Sequence, residues 1–327
     1  MSADILITED LDSPALRRLA EKFSVTIEPT LWKDPAKFRS LLAQARCVMI
    51  RNQTRLTRDL LSSAGKLLAV GRVGVGLDNI DLKAASEAGI VVIAPLDANA
   101  VSVAEFTIGL LISLVRKIPQ ADRSTKSGQW DRRGCTGMEL HGKTLTICGF
   151  GRIGRLVAAR AHAFGMRLVV FDPFVKSDAP ELQAAGAELA TNFFAALAQG
   201  DFVSAHLPLT PETRGIINAQ AFAAMKPGAF FINTSRGAVV DEAAMLAALQ
   251  SGHMAGAALD VREVEPPTAA NPFADMENVI LTPHIASFTV EAQARTFDAV
   301  CSDVDRVLRG ESALHFVNFP LPRRSPL

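Results

Sequence analysis

The sequence predicts an α/β protein of two domains, each built on a doubly wound parallel sheet, with one domain discontinuous in the chain. Three observations predict it. Short apolar, β-branched runs alternate with helical patterns through most of the 327 residues, as βαβ units with helices on both sheet faces require. The runs are too numerous for one compact sheet. The last long helical pattern has no strand after it to feed, so it is placed back on the first domain. The boundaries that follow are 1–98 with 289–327 for one domain and 99–288 for the other.

In the first domain "DILIT", "RCVMI", "KLLAV" and "GIVVI" read as strands, with helices at Ser13–Lys22 and Ile80–Ala88. The segment 99–119, "NAVSVAEFTIGLLISLVRKIP", reads as a helix with apolar residues on nearly every face. Such a helix must be buried all round. One face packs on its own domain. A second copy of the chain is the simplest cover for the other, which predicts a homodimer; burial within a single chain is the alternative. Further strands are "TLTICGF", "RLVVFD", "DFVSAHL", "AFFINTS", "AGAALDV" and "NVILTP", with helices at Arg152–Phe164, Glu242–Gln250 and Val290–Leu308. The tail "NFPLPRRSPL" packs as an extended arm or stays loose.

Composition removes several classes of function. Lys+Arg and Asp+Glu both total 34, so there is no electrostatic footprint for nucleic acid or an anionic membrane. Cys47, Cys135, Cys148 and Cys301 are scattered without a CxxC pair, against a disulfide framework or a metal site and in keeping with a reducing cytoplasm. The start "MSADILITED" is acidic where a signal peptide is basic. The longest apolar region, Val101–Val115, contains Glu105, Thr107 and Ser113 and falls short of the roughly 18 apolar residues of a membrane span.

The most informative stretch is "TLTICGFGRIGRLVAARAHAFGMRLVVFD". A strand ends in Gly149-Phe150-Gly151-Arg152-Ile153-Gly154, an amphipathic helix starts there, and the next strand ends at Asp172. Gly149 makes the tight turn, Gly151 admits a pyrophosphate to the backbone, and Gly154 lets helix and strand pack closely. Free N–H groups and the positive helix end then meet the phosphates. A lone GxGxxG is weak; this one has the strand, the helix and the acid in their Rossmann-like places. Asp172 would accept hydrogen bonds from ribose hydroxyls and repel a 2′-phosphate, which favours NAD over NADP.

Three later strand ends carry polar residues: Arg236 in "FFINTSRG", Asp260, Glu263 and Glu265 in "AALDVREVEPP", and His284 in "VILTPHIAS". Ligands of open α/β sheets bind outside the carboxyl ends of strands. Singly, these also read as a turn arginine, a solvated acid and a core histidine. Jointly, downstream of a dinucleotide cradle, they make a catalytic constellation.

The chain resembles the D-isomer-specific 2-hydroxyacid dehydrogenases, most closely their phosphoglycerate dehydrogenase-like branch. The resemblance runs through "VGRVGVGLDNID", "NAVSVAE", "ELHGKTLTICGFGRIG", "HLPLTPETRGIIN", "INTSRGAVVDE", "ALDVREVEPP" and "LTPHIAS" in order, and so covers essentially the whole chain. It implies that 99–288 binds NAD and that the discontinuous domain serves the substrate, a 2-hydroxy or 2-keto acid. It implies hydride transfer between nicotinamide C4 and the substrate C2, with His284 as proton donor or acceptor. Arg236 would bind the substrate carboxylate and carbonyl through its planar fork. Glu265 would hydrogen-bond the second imidazole nitrogen, orient the ring and favour its charged form. Asp260 would anchor the nicotinamide carboxamide. His206, Pro208, Thr213, Thr234 and Ser235 fall in the family's cofactor-side motifs, and Val75 with them. The backbone of Gly74, Val75 and Gly76 would receive the substrate carboxylate.

Arg51 and Arg72 follow strands of the first domain and, by the same resemblance, would hold a distal phosphate or another anion; ordinary solvated arginines are the alternative. The loop departs from the family pattern, with Val73 and Val75 where phosphoglycerate enzymes commonly carry alanine and threonine. No regulatory domain of the kind many of those enzymes carry is expected. Hydroxypyruvate, glyoxylate, sulfolactate and larger 2-keto acids therefore stay open beside 3-phosphoglycerate. Two other functions share the fold. Formate dehydrogenases pair the histidine with glutamine, against which Glu265 argues. NAD-sensing corepressors retain these residues without physiological turnover, and no long disordered arm supports that reading.

Overall fold

The computed structural model describes residues 3–267 and 271–323. The described chain forms two compact units: the chain up to Asn99 with the chain from Thr289 onward, and Ala100–Phe288. Each is an α/β unit around its own parallel sheet, the architecture the alternating runs predict.

In the first unit the elements run β1 (Ile5–Ile7), α1 (Pro14–Ala20), β2 (Val25–Ile27), α2 (Pro35–Leu42), β3 (Cys47–Ile50), α3 (Arg58–Ser63), β4 (Ala69–Arg72), α4 (Leu82–Glu87) and β5 (Val91–Ile93). The sheet order is β2-β1-β3-β4-β5, all parallel. Every residue of β1, β3, β4 and β5 is buried, as a sheet covered on both faces demands. Side-chain caps start the helices: the Ser13 hydroxyl accepts from Leu16 N–H at 3.0 Å, with Pro14 in the first turn of α1.

The sheet's second cover comes from far along the chain. Helix α12 (Val290–Leu308) sets Phe297, Val300, Cys301 and Val304 into the same core as Ile5, Met49 and Val91. Gly71 in β4 admits it: a Cβ there would stand 3.0 Å from Val300 and 3.2 Å from Val304. The following chain pairs antiparallel with β5 through Ile93 and Phe316, Val317 N–H donates to Val92 O, and Arg323 N–H to Gly89 O. The described part of the tail is thus an extended arm with Phe319 buried; residues 324–327 lie outside the described residues.

The second unit runs α5 (Ala100–Val115), α6 (Ile118–Lys126), β6 (Thr144–Cys148), α7 (Arg152–Ala163), β7 (Arg167–Phe171), α8 (Pro180–Ala185), β8 (Ala187–Leu189), α9 (Phe193–Leu197), β9 (Phe202–Ala205), α10 (Ala219–Ala224), β10 (Ala229–Asn233), α11 (Glu242–Gln250), β11 (Met254–Leu259) and β12 (Val279–Leu281). Its seven parallel strands lie in the order β12-β11-β10-β9-β6-β7-β8. Strand order reverses between β6 and β9, the switch point at which doubly wound sheets bind ligands. Helices α5 and α7 cover one face with Leu111, Leu114, Val157 and Ala161, while Phe222, Met245 and Leu249 of α10 and α11 cover the other.

One expectation needs correction. The helix expected over 99–119 is two helices. α5 stops at Val115, Lys117 takes a left-handed φ of 52°, and α6 restarts with Pro119 in its first turn. Pro119 has no N–H to donate to Val115 O, and its ring would clash with that carbonyl in a continuous helix, so the chain turns rather than continues. Ten of the sixteen residues of α5 are buried, Ala104, Ile108, Leu111 and Leu114 among them in the core of the second unit, while Val101, Glu105 and Gly109 form an exposed line.

Candidate active site

Strand β6 delivers the glycine turn to the switch point. Gly149 has φ +95°, and a Cβ there would stand 2.5 Å from the His206 carbonyl that follows β9. A Cβ on Gly154, in the first turn of α7, would stand 2.2 Å from Gly149 O. Gly151 is different: an added Cβ would meet no atom of the chain within 4 Å. It sits at the N-cap of α7 without a side-chain cap, where helix N–H groups lack partners. Arg152 beside it is exposed and Ile153 half-buried. This is the donor chemistry a pyrophosphate needs.

Asp172 ends the next strand. Its carboxylate accepts from Phe150 N–H at 2.7 Å and Phe174 N–H at 2.9 Å, which ties it to the glycine turn and leaves lone pairs for ribose hydroxyls. Across the switch point, the Ser204 hydroxyl lies 2.9 Å from His206 Nε2, and burial pushes His206 down to about 4, so this ring is neutral at pH 7. Thr213 donates to Pro208 O at 2.6 Å and shapes the loop after it. The Thr234 hydroxyl meets that of Thr107 on α5 at 2.8 Å. Cys148 beneath the turn is buried, its thiol pushed up to about 12, and offers no nucleophile.

The ends of β10, β11 and β12 bring three distant residues together. His284 Nδ1 lies 2.6 Å from Glu265 Oε2, with both side chains partly exposed at 39% and 35%. Burial pushes the Glu265 carboxyl up. The hydrogen bond and charge of His284, the Arg262 N–H and the Arg236 charge outweigh it and hold the group below the usual carboxylate range. Arg236 is therefore near enough to act on Glu265. Its Nη1 donates to Ser235 O at 2.8 Å, and Asn233 Nδ2 donates to Arg236 O at 2.9 Å. The Ser235 hydroxyl and N–H both donate to Asn233 Oδ1. This asparagine, which sequence reading passed over, organises the Arg236 turn.

His284 itself has φ +56°, a left-handed geometry that costs a non-glycine residue roughly 1–2 kcal/mol. Asp260 holds it there. The Asp260 carboxylate, 1% exposed, accepts from Thr282 Oγ1 at 2.6 Å, Ile285 N–H at 2.9 Å and Ala286 N–H at 2.8 Å, and its carbonyl accepts from His284 N–H at 2.8 Å. The carboxylate for which the resemblance implies a contact to nicotinamide thus also orders the 282–286 loop.

The remaining candidates belong to the first unit. Arg72 is 5% exposed and donates to Gly76 O, Val73 O and Asn52 Oδ1 at 2.8, 3.0 and 2.9 Å. Gly74 makes room for it, since a Cβ would stand 2.4 Å from Arg72 Nη1. The arginine thus shapes the loop of Gly74, Val75 and Gly76. Arg51 donates to Gln293 Oε1 at 2.6 Å; burial pushes its guanidinium down, partly offset by Glu9. Glu9, unnoticed in the sequence, accepts from the N–H groups of Arg51, Asn52, Gln53 and Thr54 at 2.8–3.0 Å and fixes the turn carrying Arg51. Among the described residues no cluster of His, Cys, Asp or Glu is arranged to hold a metal ion. No helix among them is long and apolar enough to cross a membrane.

Comparisons with known proteins show the family and the fold. A family model described as "D-isomer specific 2-hydroxyacid dehydrogenase, NAD binding domain" matches residues 108–286. The D-3-phosphoglycerate dehydrogenase of Methanocaldococcus jannaschii is 42% identical over 97% of this chain, which spans 59% of that relative. The chain spans about three fifths of the length of other such relatives as well. A D-lactate dehydrogenase from Aquifex aeolicus, solved with NAD and lactic acid, superposes with a TM-score of 0.87 at 30% identity, covering 97% of this chain and 99% of that one. An NADPH-dependent glyoxylate/hydroxypyruvate reductase from Sinorhizobium meliloti, solved with NADP and malonate, also scores 0.87 at 30% identity, covering 99% and 100%.

Proposed function

This chain belongs to the D-isomer-specific 2-hydroxyacid dehydrogenases, and from that premise we propose that it interconverts a 2-hydroxy acid and its 2-keto acid with NAD. The observation that carries the reading is the His284–Glu265 pair at 2.6 Å beside Arg236, on the sheet whose switch point holds the glycine turn. Gly149, Gly151 and Gly154 with Arg152 and Ile153 hold the pyrophosphate, and Asp172 holds the ribose. When bound, the dinucleotide supplies or accepts the hydride. Glu265 engages Nδ1 of His284, so Nε2 is the nitrogen that gives its proton to the carbonyl oxygen in reduction and takes it from the hydroxyl in oxidation. Arg236 pairs with the substrate carboxylate and polarises the carbonyl.

For the substrate, the 42% identity to a D-3-phosphoglycerate dehydrogenase supports 3-phosphoglycerate, with Arg51 as the guanidinium for its phosphate. The engagement of Arg72 with its own loop favours, as a second reading, a smaller acid such as hydroxypyruvate or glyoxylate. A cytoplasmic homodimer completes the proposal. Val101 of α5, 43% exposed, supports the dimer, and sedimentation showing only monomer at micromolar concentration would remove it.

The decisive experiment is a steady-state screen of 2-keto acids with NADH, 3-phosphohydroxypyruvate included, on wild type and His284→Gln. Turnover by the wild type and a loss of about 10²- to 10⁴-fold in kcat in the variant, with NADH affinity kept, are expected. NADH binding without turnover across the panel would instead favour a cofactor-sensing regulator.

A further inference from the structure

Glu242 opens α11 directly after the N-cap Asp241, yet its carboxylate is spent on another loop. It takes Arg262 Nε at 2.9 Å and Nη2 at 2.8 Å as a bidentate fork, and the Glu263 N–H at 2.8 Å. The pair is largely buried, with Arg262 13% and Glu242 18% exposed. Arg262 Nη1 reaches Asn271 Oδ1 at 3.3 Å, and the guanidinium lies 5.1 Å from the Phe273 ring centroid. The same peptide is braced from behind by Gly237, the neighbour of Arg236: a Cβ there would stand 1.8 Å from Arg262 O and 2.5 Å from Glu263 N.

From this fixed peptide the Arg262 N–H donates to Glu265 Oε1 at 2.8 Å, while Glu265 Oε2 faces His284 Nδ1 at 2.6 Å. Glu265 is thus aimed by two contacts, one of them the backbone that Glu242 and Arg262 immobilise. We propose that the Glu242–Arg262 pair is a positioning device for the active-site histidine, which holds the 262–263 peptide so that Glu265 stays against Nδ1. Neither residue touches the reacting atoms. The pair acts through Glu265, and in this respect the proposal rests on the dehydrogenase reading. A bidentate arginine suits the task because a planar fork fixes orientation as well as distance.

The test compares wild type, Arg262→Met and the double variant Glu242→Gln with Arg262→Met. The double variant removes the pair without leaving a buried carboxylate unpaired, and decides the matter if the single variant does not fold. Kinetics are run with a 2-keto acid the wild type reduces, NADH affinity is followed by fluorescence, and the ring nitrogens of His284 are followed by 15N NMR on histidine-labelled protein. Expected are a fall in kcat of about 10-fold or more, keto-acid KM and NADH Kd within about 3-fold, and a shift of neutral His284 away from the Nδ1–H tautomer that a carboxylate partner selects. An unchanged tautomer balance overturns the proposal, even if kcat falls, because a purely structural pair would leave the tautomer alone. Unchanged kcat in a wild type that turns over also overturns it. If the wild type reduces no 2-keto acid, the dehydrogenase reading fails, while the tautomer measurement still decides whether the pair positions Glu265.

Discussion

Asp260→Asn separates two roles for one buried carboxylate. In the structure its oxygens take Thr282 Oγ1 at 2.6 Å, Ile285 N–H at 2.9 Å and Ala286 N–H at 2.8 Å. An asparagine has one acceptor oxygen. Placed to keep the first two donors, its amide NH2 confronts the Ala286 N–H. One charge-assisted bond is lost, worth about 1.5–3 kcal/mol, and a buried donor is left unpaired at about 1–3 kcal/mol. These overlap, and the loop can relax by releasing the left-handed His284, which recovers roughly 1–2 kcal/mol. The net expectation is a loss of about 2–4 kcal/mol. Urea denaturation reads the stability; kcat and NADH affinity are measured on the same protein. A displaced His284 lowers kcat by more than about 10-fold while NADH Kd moves little. If instead stability and kcat hold and NADH binding alone weakens, Asp260 serves the nicotinamide and the loop argument is wrong.

Asp172→Ala should weaken NADH while sparing NADPH, and an unchanged preference between the two would refute the ribose assignment. Gly154→Ala forces a Cβ to 2.2 Å from Gly149 O; because the neighbour is backbone, the turn must open, and NADH affinity should fall more than tenfold together with thermal stability. His206 gives a pH dependence. Its pKa falls from 6.5 to about 4 on folding, so between those values the unfolded chain binds more protons and stability rises with pH. The contribution is complete above pH 6.5 and is lost as pH falls through about 4, at most about 3 kcal/mol for a shift of this size. Denaturation at pH 7.5 and pH 4.5 should show a smaller difference in His206→Gln than in wild type; equal differences would refute the burial argument.

The readable parts of the chain were those where the residue type itself states the geometry. The glycines of the turn, the acid after the next strand, α11 and α12 are of this kind, because spacing and periodicity are one-dimensional signals. Strands β2 and β8 escaped because they are three-residue edge strands, only partly buried, with no continuous apolar run to mark them. The backbone contacts of Asp260, Glu9 and Arg72 escaped for another reason. Backbone N–H and C=O groups are the same for every residue type, so nothing in the letters announces these partners. Arg262 is intermediate. The sequence shows an arginine three residues before Glu265, but not that Glu242, twenty positions earlier, turns to meet it.

The place of α12 has a consequence for how the protein is made. The sheet of the first unit is complete in its strands by Ile93, yet Gly71 and the residues around it expect Val300 and Val304 against them. The ribosome adds all of Ala100–Phe288 in between, which at typical synthesis rates takes roughly 10–40 s. Of the two units, the one whose strands are made first is therefore the last to be completed, since the helix that packs on Gly71 comes only after Phe288.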